Sequence, residues 1–163
     1  MAGDAIGVYG KAIGMPLDET KGFTKFTLLS MLVGYVIGIF TIPKYITQQK
    51  ALQYSAILGI IFTICVYFTG GYTSIVFIAL MGLANALMWP AIFSLAIFGL
   101  GKFTKTASAL LIMGIAGGAL IPLLYALLKE PAIGVSNQNA FVICMLPCYF
   151  YVLYYAVSGY KPK

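Results

Sequence analysis

The residues best suited to chemistry in this sequence are an amide and an indole set among apolar neighbours. Asn85 and Trp89 lie in the run Gly82-Leu-Ala-Asn-Ala-Leu-Met-Trp-Pro90. Four residues apart, they share one face if the run is helical. A side-chain amide in apolar surroundings needs a partner or water. Two uses fit. The pair can line a polar cavity, the amide bonding hydroxyl groups while the indole stacks on an apolar ring face. Alternatively it joins helices, the amide bonding a neighbouring backbone and the indole filling the bundle. Residue type alone does not separate these uses. Pro90, which has no N–H, predicts a kink beside both.

Other chemistries lack their residues. All ten basic residues are lysines, with no histidine and no arginine. Histidine-based general-base catalysis and most zinc sites are thereby excluded, as is the arginine fork that clamps carboxylates and phosphates. Nucleophile-elbow and phosphate-loop motifs are absent. Cys65, Cys144 and Cys148 all sit in apolar stretches. Cys144 and Cys148 are one helical turn apart, which admits a metal pair, but without a nearby histidine they read as small apolar helix residues. No enzyme activity, metal or cofactor is expected. Any ligand should be neutral and hydroxylated rather than anionic.

The elements that position these residues follow from composition. The 163 residues are 61% hydrophobic and 9% charged, against about a quarter charged in soluble domains. The formal charge of +6 comes from lysines placed singly at the ends of apolar runs, where topology signals lie, and does not form a nucleic-acid-binding patch. No nucleic-acid partner is expected; the lipid bilayer is.

Charges divide the chain into spans. Between Lys25 and Lys44 no charge occurs, and between Lys50 and Lys102 there are 51 uncharged residues. As one helix these would reach roughly 77 Å, against a hydrocarbon core of about 30 Å, so the stretch must fold back. Thr69-Gly70-Gly71-Tyr72 is the strong breaker near its middle. Spans are expected at about 26–43, 51–69, 73–100, 106–128 and 140–158. All are helices, because an isolated strand leaves its backbone unsatisfied in lipid. Residues 1–15 are too short to span and read as a flexible leader or the end of a helix. Asp4 is the acidic residue best able to reach the membrane interior, since Asp18, Glu19 and Glu130 fall in loops.

Lys44, Lys50, Lys102, Lys105, Lys161 and Lys163 gather on one side with no acidic residue. The other side holds Lys11, Lys21, Lys25 and Lys129, diluted by Asp18, Glu19 and Glu130. Lysine excess marks the cytoplasmic face, which puts the C-terminus inside and the N-terminus outside. No signal peptide is visible, so an outside N-terminus suits a chain cut from a longer one. Gly114-x3-Gly118 and Gly34-x3-Gly38 have the spacing of small-residue faces for close helix contact, and packing is their expected role.

Several segments together resemble a known family. Trp89-Pro90-Ala91-Ile92-Phe93-Ser94-Leu95-Ala96-Ile97, then Leu100-Gly101-Lys102 and Thr104-Lys105, is similar to the tenth helix and following loop of bacterial sugar permeases. These are the fucose permease and glucose/galactose transporter group of the major facilitator superfamily. Ser108, Met113, Gly117-Gly118 and Pro122 fit its eleventh helix, and Pro147-Cys148-Tyr149 with Tyr151, Tyr154 and Tyr155 its last. Gly34-Tyr35-Val36-Ile37-Gly38 fits the eighth.

The resemblance implies an all-α integral membrane fold, the C-terminal half of a facilitator bundle, with five transmembrane helices (8–12) after a stub of helix 7 in residues 1–15. It implies secondary transport of a neutral sugar by alternating access across the inner membrane. The partners would be the N-terminal half of the transporter and a coupling proton. Asn85 and Trp89, then Tyr35 and Asp4, are the expected sugar contacts. Two positions depart from the family: Gly38-Ile39 stands where relatives often have Gly-Arg, and Met88-Trp89 precedes the proline where the fucose permease has another aromatic. The alternative is a small membrane subunit, or a truncated relic, that packs with partner helices and transports nothing.

Overall fold

A computed structural model describes Tyr9, Gly14 and residues 17–42, 44–130 and 133–159, with side chains described from residue 22 onward and at Tyr9 and Gly14. Every regular element among them is helical. Helix α1 is Leu17–Thr41, α2 Gln48–Phe68, α3 Gly71–Ala86 and α4 Met88–Ile97. A 3₁₀ turn, Gly101–Phe103, leads into α5, Thr104–Gly114. A second 3₁₀ segment, Ile115–Ala119, joins α5 to α6, Leu120–Leu128. Helix α7, Asn137–Tyr154, closes with a π-helical turn at Tyr155–Gly159.

Five segments among the described residues are long and apolar enough to cross a membrane: Gly22–Thr41, Gln48–Phe68, Gly71–Ile97, Gly101–Leu128 and Asn137–Gly159. Several begin before the spans that charge spacing suggests, and α2 contains Lys50. A lysine near a helix end can extend its ammonium to the headgroups while its backbone stays helical, so a charge does not mark the last helical residue.

Local chemistry sets the boundaries. Thr47 caps α2, its hydroxyl accepting from the Lys50 N–H at 3.4 Å, and Ser136 caps α7, accepting from the Asn139 N–H at 3.3 Å. Gly71 opens α3 at φ +60°, a conformation that glycine adopts without steric cost, so the chain reverses there. The long span that follows breaks earlier than its proline. Pro90 cannot donate to the Ala86 carbonyl four residues back, and α3 ends at Ala86, with Leu87 as the joint and α4 starting at Met88.

Helices α2 and α3 together form the middle of the bundle, and half of the α3 residues are buried. Helix α3 packs along α1 on one side and α2 on the other, and α2 also lies against α4 and α7. The α1–α3 contact is close because glycines line both sides. A Cβ at Gly34 would fall 2.7 Å from Ala86 Cβ and 3.0 Å from the Leu83 carbonyl oxygen, and one at Gly82 would strike the Thr27 carbonyl oxygen. Gly38 abuts Leu87 in the same way. Tyr9, Val66, Ile75, Ile78, Met81, Phe141 and Tyr149 form the main buried cluster. The Tyr9 hydroxyl donates to Ser74 Oγ at 3.1 Å, tying the segment before α1 to the start of α3. Gln53 Nε2 donates to the Ala156 carbonyl at 3.1 Å and holds α2 to the end of α7.

The second small-residue motif behaves differently. Gly114, Gly117 and Gly118 are exposed, and a Cβ at any of them would meet nothing within 4 Å. The packing expected of that face is therefore not made within the described chain. The α5–α6 span has few buried residues, Tyr125 being the one in its helices. Large apolar side chains such as Phe40, Phe68, Leu110 and Met113 point outward. That surface suits lipid or other helices and not water.

Candidate functional site

Asn85 sits in the last turn of α3, one residue before the helix ends. Its Oδ1 accepts a hydrogen bond from the Tyr149 hydroxyl on α7 at 2.9 Å. Both residues line a cavity of about 330 Å³, within the range of small-ligand sites (about 300–1,000 Å³). Thr27 and Met31 of α1, Gly82 and Asn85 of α3, Met88 of α4, Gly118 and Ile121 around the α6 start, and Met145, Cys148, Tyr149 and Val152 of α7 form its walls. No wall residue carries a charge at neutral pH. The polar groups are an amide, a phenol, a thiol and a threonine hydroxyl, set among methionines and aliphatic side chains.

This composition has a chemical consequence. A carboxylate or phosphate would find no cation to pair with and would bear its desolvation cost uncompensated. A neutral molecule with hydroxyls on an apolar frame could bond the amide and lay its C–H faces on the methionines. Thr27 is only a weak candidate for contact, because its hydroxyl already donates to the Phe23 carbonyl at 3.1 Å.

The other expected contacts are not gathered around this cavity. Trp89, 42% exposed, stacks at a tilt on Phe93 with centroids 6.0 Å apart and lines a separate groove against α5 with Leu110 and Gly114. Tyr35 lines a third depression with Gly38, Gln48, Leu87 and Pro90. The joint at Leu87 lies between Asn85 and Trp89, so an uninterrupted helix does not carry the two. Asp4 lies outside the described residues. Tyr149 was not singled out by sequence reasoning beyond its place in an aromatic last helix. Its partner is 64 positions away, and nothing local marks the pairing.

No family model matches the chain. A Helicobacter pylori (strain J99) protein provisionally named a glucose/galactose transporter is 34% identical over 156 residues, 95% of this chain and 38% of that protein. The glucose/galactose transporter of Brucella abortus biovar 1 is 37% identical over 130 residues, 80% of this chain and 30% of its own length. The L-fucose-proton symporter of Haemophilus influenzae is 28% identical over 153 residues, covering 88% of this chain and 36% of the symporter. The fold agrees. The crystal structure of FucP, a major facilitator superfamily transporter in the outward conformation, superposes on 99% of this chain with a TM-score of 0.81 at 21% identity.

The chain belongs to the family of the bacterial glucose/galactose transporters. It is a multi-pass membrane protein with the fold of the major facilitator superfamily transporter FucP, and is similar to the fucose symporters as well. It spans between 24% and 38% of the length of the curated relatives it matches, and 40% of the FucP chain.

Proposed function

We propose that this facilitator chain is the C-terminal half-bundle of a secondary transporter that moves a neutral sugar, a hexose or deoxyhexose, across the bacterial inner membrane. The observation that carries the reading is the uncharged cavity in which the Asn85 amide and Tyr149 phenol are the leading polar groups among apolar walls. In this reading the five spans are helices 8–12 of a facilitator, residues 1–15 belong to the end of helix 7, and the C-terminus is cytoplasmic. The bundle rocks against an N-terminal half around a mid-membrane site. A protein of this kind makes and breaks no covalent bond in its substrate. The name of the Haemophilus influenzae relative pairs fucose with a proton, which supports a coupling proton here. Among the described side chains no carboxylate lies within a spanning segment, so a proton-carrying carboxylate is sought elsewhere in the gene product.

Asn85 is the leading sugar contact, with Trp89 and Tyr35 in flanking positions that a moving bundle can bring toward the substrate. The test is uptake of labelled hexoses and deoxyhexoses by cells expressing the gene product that carries this chain, with and without a protonophore. Asn85→Ala removes a hydrogen bond with a net worth of about 0.5–1.5 kcal/mol, so uptake at low substrate should fall roughly 2- to 13-fold at unchanged membrane abundance. Unchanged kinetics would reduce Asn85 to a packing residue. No uptake of any sugar by the unaltered protein would remove the transport reading.

A further inference from the structure

The geometry points to Tyr149 as a positioning residue that fixes the polarity of the Asn85 amide, so that the site offers its substrate N–H donors and selects an oxygen acceptor. The inference rests on the sugar-transport reading and specifies how that site discriminates. Tyr149 is buried, 3% exposed, and its hydroxyl donates to Asn85 Oδ1 at 2.9 Å. A side-chain amide has one acceptor end and one donor end. With Oδ1 engaged by the phenol, Nδ2 is the end left for the cavity that both residues line. The Nδ2 group makes no hydrogen bond to any described residue.

The reverse orientation is disfavoured by the same burial. If the amide turned over, Nδ2 would donate to the phenol oxygen and the phenol proton would lose its acceptor. The Tyr149 hydroxyl has no second partner among the described residues, and a buried donor left unpaired is costly.

A third helix holds the phenol in place. The Tyr149 ring lies over Gly59 of α2, where a Cβ would come within 2.7 Å of ring atoms Cδ1 and Cζ. A side chain at position 59 would displace the ring and with it the hydroxyl. Gly59 makes the space, Tyr149 fills it and reaches across, and Asn85 presents its donors. A sugar hydroxyl can donate or accept, so a donor-only amide recognises it through an oxygen lone pair.

Deoxy and deoxyfluoro sugars read this directly, because fluorine can accept weakly but cannot donate, and hydrogen can do neither. Competition against labelled sugar should reveal one ring position at which the deoxy analogue competes poorly while the fluoro analogue is largely retained. Tyr149→Phe should raise KM about 2- to 13-fold with little change in maximal rate or membrane abundance. It should also shrink the fluoro-over-deoxy preference, because the amide is free to turn. Gly59→Ala should move both readouts the same way from a residue that touches no substrate. Asn85→Leu removes the amide donors at similar volume and introduces no ionisable group, so it should lose uptake even if Tyr149→Phe accumulates poorly. The inference is overturned by an unchanged KM and fluoro-over-deoxy ratio in Tyr149→Phe, by equal treatment of both analogues at every ring position, or by wild-type uptake in Asn85→Leu. Absence of all sugar uptake in the unaltered protein removes the transport reading and the inference together, whereas those three results remove the inference alone.

Discussion

The α1–α3 contact lets the cost of a single methyl group be worked from the geometry. Gly34→Ala would place a Cβ 2.7 Å from Ala86 Cβ and 3.0 Å from the Leu83 carbonyl oxygen. Carbon pairs settle at about 3.5–4.0 Å, so the carbon contact is short by roughly 0.8–1.3 Å. The opposing atoms are a methyl and a backbone oxygen, neither of which has a rotamer that could swing aside. The helices must part, at a cost of about 1–3 kcal/mol. Alanine also gains about 0.8–1.0 kcal/mol over glycine in a helix, which partly masks the effect in a single variant. Gly22→Ala is the matched control. It lies on the same helix, and its new Cβ would meet nothing within 4 Å. The propensity gain largely cancels between the two, leaving the clash. Gly34→Ala should therefore melt below Gly22→Ala by the clash energy, a separation of about 2–12 °C at 2–4 °C per kcal/mol. The assay is thermal unfolding in detergent of the gene product carrying this chain. If Gly34→Ala melts with or above Gly22→Ala, the close approach of α1 and α3 is not as described.

Pro90→Ala restores an N–H that can bond the Ala86 carbonyl and should let α3 run into α4, moving the wall formed by Asn85 and Met88. Uptake should fall at normal membrane abundance, and wild-type uptake would deny the break any role in transport. Thr47→Ala and Ser136→Ala each remove a cap and should cost about 0.5–2 kcal/mol in detergent melting. Thr47→Ser, which keeps a hydroxyl, should restore most of the first loss.

Much of the fold is legible in the residues because lipid leaves few options. Backbone groups without water must be satisfied within a helix, so long uncharged runs become helices wherever turn chemistry permits. The reversal at Gly70-Gly71 is where an untroubled positive φ is available, and the break beside Pro90 follows from a missing N–H. The lysines place the spans but not their ends, because a long side chain lets the charge leave the bilayer while the backbone stays within it. The need of one polar residue was legible as well: an amide in an apolar helix must have a partner or a ligand, and Asn85 has a partner in Tyr149 and lines an uncharged cavity.

Other features belong to tertiary structure alone. Gly34-x3-Gly38 and Gly114-x3-Gly118 have the same spacing, yet the first is pressed against α3 and the second meets nothing in the described chain. Spacing states that a helix offers a close-packing face; only the arrangement of the other helices decides whether that face is used. Trp89 and Asn85 separate into different depressions because the helix between them ends at Ala86 and restarts at Met88. Tyr149 had no signal of its own, since its partner is remote in sequence and its seat is made by a glycine on a third helix. The sequence by itself determined that an amide would sit in the membrane and need satisfying. Packing determined which end of that amide is occupied and which faces the cavity, because hydrogen-bond direction depends on where three helices bring their side chains together.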